Sequence, residues 1–154
     1  GSGALIGVPW FLNLQAELLF LFGREAEALR VLEESEGIAA MTQERFFLVD
    51  TLRLKGEIHA FLSPDSPRTE AVDALRAALR LAAEQGAWLA GLRAALRLAP
   101  LLQRQGALEE ARELLASHVK KIAWIPCPDE QQARNLLETL SRASAPLSPS
   151  VTLR

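Results

Sequence analysis

Cys127 stands between Pro126 and Pro128, directly ahead of DEQQARNLLETL, a stretch with the spacing of a helix. A thiol at a helix N-terminus can have its pKa lowered toward the nucleophilic thiolate. A partly buried structural thiol is the plainer reading of this one. The acidic pairs Glu33-Glu34 and Glu109-Glu110 have the residue types of a general acid and base, but they fall on helical stretches as solvated faces. The only two histidines are His59 and His118. A metal site would need two or more further ligands that the spacing does not offer, so both are read as core or boundary residues. GREAEA and GALEEA carry single glycines ahead of helices, unlike GxxxxGK[ST] or GxGxxG, so neither cradles a phosphate. No catalytic residue, cofactor or metal is therefore expected, and the chain reads as a non-enzyme.

The five most prominent aromatic residues invite a different chemistry. Trp10, Phe46, Phe47 and Trp88 open helical stretches and Trp124 lies in a connection, all among Leu and Ala. A base-stacking platform would interleave such rings with Lys and Arg. Packing at the ends of helical hairpins is the expected role. Seventeen Lys and Arg against nineteen Asp and Glu leave a net charge of −2, with a pI near 5.8. Without a basic cluster, nucleic acid is not an expected partner. One cysteine excludes an internal disulfide and fits a reducing cytoplasm. The most apolar run, VPWFLNLQAELLFLF, is broken by Asn13, Gln15 and Glu17, so no membrane span is expected.

The elements that would position any site are written in the composition. Leu (29) and Ala (25) dominate the apolar residues, Val and Ile together give 11, and Tyr is absent. Leu and Ala favour helix, whereas strands draw on β-branched and aromatic residues. LFGREAEALRVLEES (21–35) and RQGALEEARELLASH (104–118) repeat one phrase 83 residues apart. Each has a small residue seven positions before the Gly, Ala16 and Ala99, and Gly56 marks a third copy between them. Ala28, Ala71 and Ala111 correspond, as do Leu32, Leu75 and Leu115, with three extra residues in the middle copy at the turn SPDSP (63–67). A period near 40 with two apolar helical stretches per period predicts stacked helical hairpins. Small residues let the paired helices approach, and glycine at the turn takes the left-handed conformation that ends the first helix.

The expected helices run over 9–22, 24–35, 43–61, 67–85, 88–105, 107–121 and 129–143. Ser66 is a plausible N-cap with Pro67 at the first helical position, and Gly86 is a C-terminal stop. Pro126 and Pro128 break helix over 122–128, and Asp129 caps the last helix, whose Ala133, Leu136, Leu137 and Leu140 share a face. Pro100 is expected to bend the helix around it, because an interior proline costs about 3 kcal/mol unless a kink absorbs it. The domain plan is a lead-in over 1–8, in which Gly1-Ser2 reads as an expression scar, one helical-repeat domain over 9–143, and a tail over 144–154.

The spacing of small residue, Gly, Ala and Leu resembles the tetratricopeptide repeat (TPR). ERFFLVDTLRLKGEI (44–58) and EQGAWLAGLRAALRLAPLLQRQGALEEARELLA (84–116), followed by DEQQARNLLETL, are similar to the carboxy-terminal TPR-type module of large bacterial signalling ATPases. In those proteins the module follows an NTP-binding domain, with a nucleotide-cyclase or DNA-binding activator domain at the amino end. The resemblance implies an all-α, right-handed superhelix of three hairpins plus a terminal capping helix. It also implies a regulatory, protein-docking role in the bacterial cytoplasm. Pro100 and the long 63–67 turn depart from the repeat pattern. Carried onto this sequence, the family's concave groove positions fall at Asn13, Glu17, Asp50, Arg53, Glu57, Arg93 and Gln103. The implied partner is a peptide segment, such as another domain of the same parent protein, and self-association is left open. The other class kept in view is a domain that senses a small effector in the same concavity. The groove residues could equally be solvated or paired with one another.

Overall fold

The structure, a computed structural model, describes residues 5–64 and 69–144. Among these residues it is all helical, with seven helices: α1 (Val8–Leu21), α2 (Glu25–Thr42), α3 (Leu48–Leu62), α4 (Thr69–Gln85), α5 (Trp88–Arg104), α6 (Leu108–Ile122) and α7 (Pro128–Ala143). The expected caps Ser66 and Pro67 and most of the 144–154 tail lie outside the described residues. Helices adjacent in sequence pack as the pairs α1/α2, α3/α4 and α5/α6, and each odd-numbered helix also touches the next odd-numbered one, through to α7.

The recurring small residues are the close contacts within these pairs. Ala16, Gly56 and Ala99 are buried, as are Ala28, Ala71 and Ala111. A Cβ added at Gly56 would stand 2.6 Å from Leu75 Cγ and 3.1 Å from the Ala71 carbonyl oxygen. Glycine at 56 is thus what lets α3 reach α4. Leu32, Leu75 and Leu115 are fully buried, each within the hydrophobic cores between helices. Gly23, Gly86 and Gly106 have φ of 71°, 66° and 81°, a region costly for residues with a Cβ, and each ends a helix.

Three boundaries differ from the sequence expectation. The second helix continues past 35 to Thr42, because Ile38 and Ala39 bury on it, and ends where Gln43 takes φ 58°. The third starts at Leu48 rather than 43, since the connection first delivers Glu44 to α1, where its carboxylate accepts the Gly7 N–H at 3.1 and 3.3 Å. The last helix is capped by Cys127 in extended conformation with Pro128 at its first position, and Asp129 is not its cap. The fixed φ of proline suits that first position, where its missing N–H costs nothing. Pro100 lies inside α5, which stays helical through it to Arg104.

Candidate functional site

One cleft gathers side chains from every odd-numbered helix and from no even-numbered one. Its walls are Trp10, Asn13, Leu14 and Glu17 of α1, Phe47, Asp50, Arg53 and Leu54 at and after the start of α3, Arg93, Leu96 and Arg97 of α5, and Asp129 and Gln132 of α7. Its volume is about 330 Å³. Five of the seven groove positions expected from the sequence line it: Asn13, Glu17, Asp50, Arg53 and Arg93. Glu57 sits behind the wall as the carboxylate that two of its arginines share, and Gln103 is exposed farther along α5, outside the lining.

Asn13 is a structural residue as much as a wall. It is buried, its amide donates to the Phe47 carbonyl at 3.1 Å, and its carbonyl oxygen accepts from Thr51 at 2.8 Å and Ser35 at 3.2 Å. This network pins α1, α2 and α3 to one another with no buried side-chain polar atom left unsatisfied among the described residues. A buried polar group that is fully hydrogen-bonded fixes one arrangement of the helices around it.

The charged wall is an ordered chain of ion pairs. Arg53 holds Asp50 at 3.2 Å and Glu57 at 2.5 Å, and Arg97 reaches from α5 to the same Glu57 oxygen at 3.0 Å. Arg93 crosses to α7 and meets Asp129 at 3.1 Å. The Arg53 side chain is only 14% exposed. Burial, the largest single influence, pulls its pKa down, but Glu57 and Asp50 outweigh it and the net shift is upward. The guanidinium is therefore charged at any working pH and committed to its neighbours. Arg93 and Arg97 differ, since both are about half exposed and each uses only Nε in its ion pair. Their terminal nitrogens remain to receive an anionic group, and a guanidinium can hold a carboxylate with two parallel hydrogen bonds. Glu17, exposed on α1, supplies a negative charge at the other wall.

Arg97, Asp129 and Gln132 belong to the cleft and were not foreseen. Arg97 follows Arg93 by one turn and so shares its face, a signal present in the sequence. Asp129 and Gln132 enter through the packing of α7 on α5, which no local pattern announces. The aromatic residues are a partial correction: Phe46 and Trp124 are mostly exposed, Trp10 and Trp88 keep about two-fifths of their surface exposed, with Trp10 edge-on to Phe11, and Phe47 is part-buried. Trp88 is covered on one face by the Lys121 ammonium, 4.8 Å from the ring centre.

The remaining candidates for chemistry lie apart from the cleft. His118 packs over Gly91, where an added Cβ would stand 3.3 Å from its Cδ2, and its Nδ1 lies 2.8 Å from the Leu114 carbonyl oxygen. Burial lowers its pKa, and the nearby Lys121 charge adds to that against the raising effect of the Leu114 bond. His59 lies in the last turn of α3, and Cys127 is part-buried. Among the described residues no three His, Cys, Asp or Glu gather as metal ligands, and no helix is long and apolar enough to cross a membrane. No family model, curated protein or solved structure matches the chain.

Proposed function

We propose that this chain is a non-catalytic, TPR-like interaction module whose odd-numbered helices form the concave side of a right-handed superhelix, and that it docks a peptide segment in the cleft they line. The observation that carries this reading is the wall composition: α1, α3, α5 and α7 contribute every lining residue. In stacked hairpins the first helix of each pair faces the concavity, which supports the repeat assignment and the docking side together. The resemblance to the carboxy-terminal modules of bacterial signalling ATPases adds a context, regulation within a larger cytoplasmic signalling or transcriptional protein, with another domain of that protein as the natural source of the segment.

The chemistry of the segment follows from the two available guanidinium groups and the apolar lip. Arg93 and Arg97 suit an Asp or Glu side chain, and Trp10 and Leu14, both exposed at the lip, suit an apolar neighbour of that residue. A small-effector site is the second reading, because about 330 Å³ falls at the lower end of small-molecule pockets. Six ionised side chains in the lining favour the peptide, since effector pockets are mainly apolar with few polar groups.

Selection of a random peptide library on the immobilised protein tests this. Acidic peptides with an adjacent apolar residue are expected, and Arg93→Ala with Arg97→Ala should weaken their binding tenfold or more, while the loss of two half-exposed ion pairs lowers the melting temperature only slightly. Peptides that bind the double variant as tightly as the wild type would remove the cleft from consideration.

A further inference from the structure

α1 has two opposite uncharged faces, and among the described residues only one of them is covered. At 100° per residue, Pro9, Asn13 and Ala16 point inward and are buried. The opposite side carries Phe11, Leu14, Leu18 and Leu21, spaced 3, 4 and 3 residues apart, with Trp10 and Phe22 at its borders. Phe11 is 64% exposed, Leu18 55%, Leu21 75% and Phe22 79%. The stripe spans about 120° of the helix and holds no charge; Glu17 and Gln15 flank it on either side. A helix that is hydrophobic all round is a buried helix, and the 3-4-3 spacing is that of a seam between two helices.

We propose that this stripe is a homodimer interface, covered by the α1 stripe of a second copy of the chain. Three features favour a second copy over an unrelated partner. The stripe is uncharged, so it asks for no complementary charge, which a foreign partner would supply, and it can meet itself in a two-fold contact where one patch serves both sides. Its Leu residues fall at both kinds of seam position, so Leu meets Leu or Phe whether the two helices run parallel or antiparallel. Its size also fits: six large side chains, two-fifths to four-fifths exposed, offer on the order of 600 Å². With Gln15, Glu17 and Ile6 as a rim, that approaches the ~800 Å² per partner of a standard interface. An apolar patch of this extent is at the upper end of what soluble monomers leave open, and patches of that size are often functional.

The dimer contact shares Trp10 and Leu14 with the cleft lip, but it is tested apart from the cleft at Phe11, Leu18 and Leu21, which do not line it. Sedimentation of the full chain from about 1 to several hundred micromolar is expected to give twice the 16.9 kDa chain mass at the upper concentrations. Phe11→Glu and Leu21→Glu, both at exposed positions, should each return it to a monomer with unchanged helical content. Trp124→Glu, an equally exposed ring in the connection before α7, should leave the dimer intact. A wild-type chain that stays monomeric throughout overturns the proposal and leaves the stripe to a helix of another polypeptide. A dimer that persists in both α1 variants, or that Trp124→Glu also disperses, overturns it as well.

Discussion

Single residues carry the register of this molecule, and glycines show it most directly. Gly56 and Gly37 both lie inside helices, yet a Cβ at Gly56 would press on Leu75 and the Ala71 backbone, while one at Gly37 meets nothing within 4 Å. Ala in place of Gly in a helix gains about 0.5–1 kcal/mol. At Gly56 that gain is overtaken by overpacking of about 1–3 kcal/mol. Gly37→Ala should therefore raise the thermal midpoint and Gly56→Ala should lower it, as read by melting the two variants side by side. The position of Gly56 was legible because Ala16 and Ala99 occupy its place in the sister copies. The commitment of Arg53 was half legible: Asp50 and Glu57 stand three and four residues away, within reach on one helix face, but its burial depends on neighbouring helices.

Among the elements, the terminal helix α7 has the clearest duty. It buries Ala133 and Leu140 and packs Leu136 and Leu137 against the core that holds Leu115, Val119 and Ile122. A stacked array needs such an end cover. Truncation after Lys121 also removes Ile122 and should give a product that aggregates or loses cooperative melting, measured by light scattering and calorimetry. A truncated chain that stays monodisperse and equally stable would make α7 dispensable to the fold. Apolar periodicity found all seven helices, but it missed the end of α2 by seven residues and the start of α3 by five, where another force set the boundary. The phrase that marks the second helix closes at Ser35, but the burial of Ile38 and Ala39 carries α2 on to Thr42. Pro128 suggested a break, yet it opens α7. The aromatic residues misled for a related reason: pattern places a ring on a helix face but does not say whether a neighbour exists to cover that face.

At the scale of the whole molecule, pairing within hairpins and contact between successive odd-numbered helices bring four short segments, distant in sequence, to one cleft. Repeat logic anticipated the α1, α3 and α5 walls. The α7 wall was beyond it, because Asp129 stands 36 residues from Arg93 and their ion pair exists only once α7 docks. The ordered ion pairs behind the cleft hold its walls in place, which would lower the ordering cost of the docking proposed there. The three tryptophans give the most direct test of docking on this side, since Trp10 lines the cleft while Trp88 and Trp124 do not. In a ¹H–¹⁵N spectrum of the chain titrated with a selected acidic peptide, the Trp10 indole and the Arg93 and Arg97 Nε signals should move together, with those of Trp88 and Trp124 unmoved. Shifts confined to Trp88 or Trp124, with Trp10 and both arginines silent under a bound peptide, would contradict the assignment of the odd-helix cleft as the docking surface.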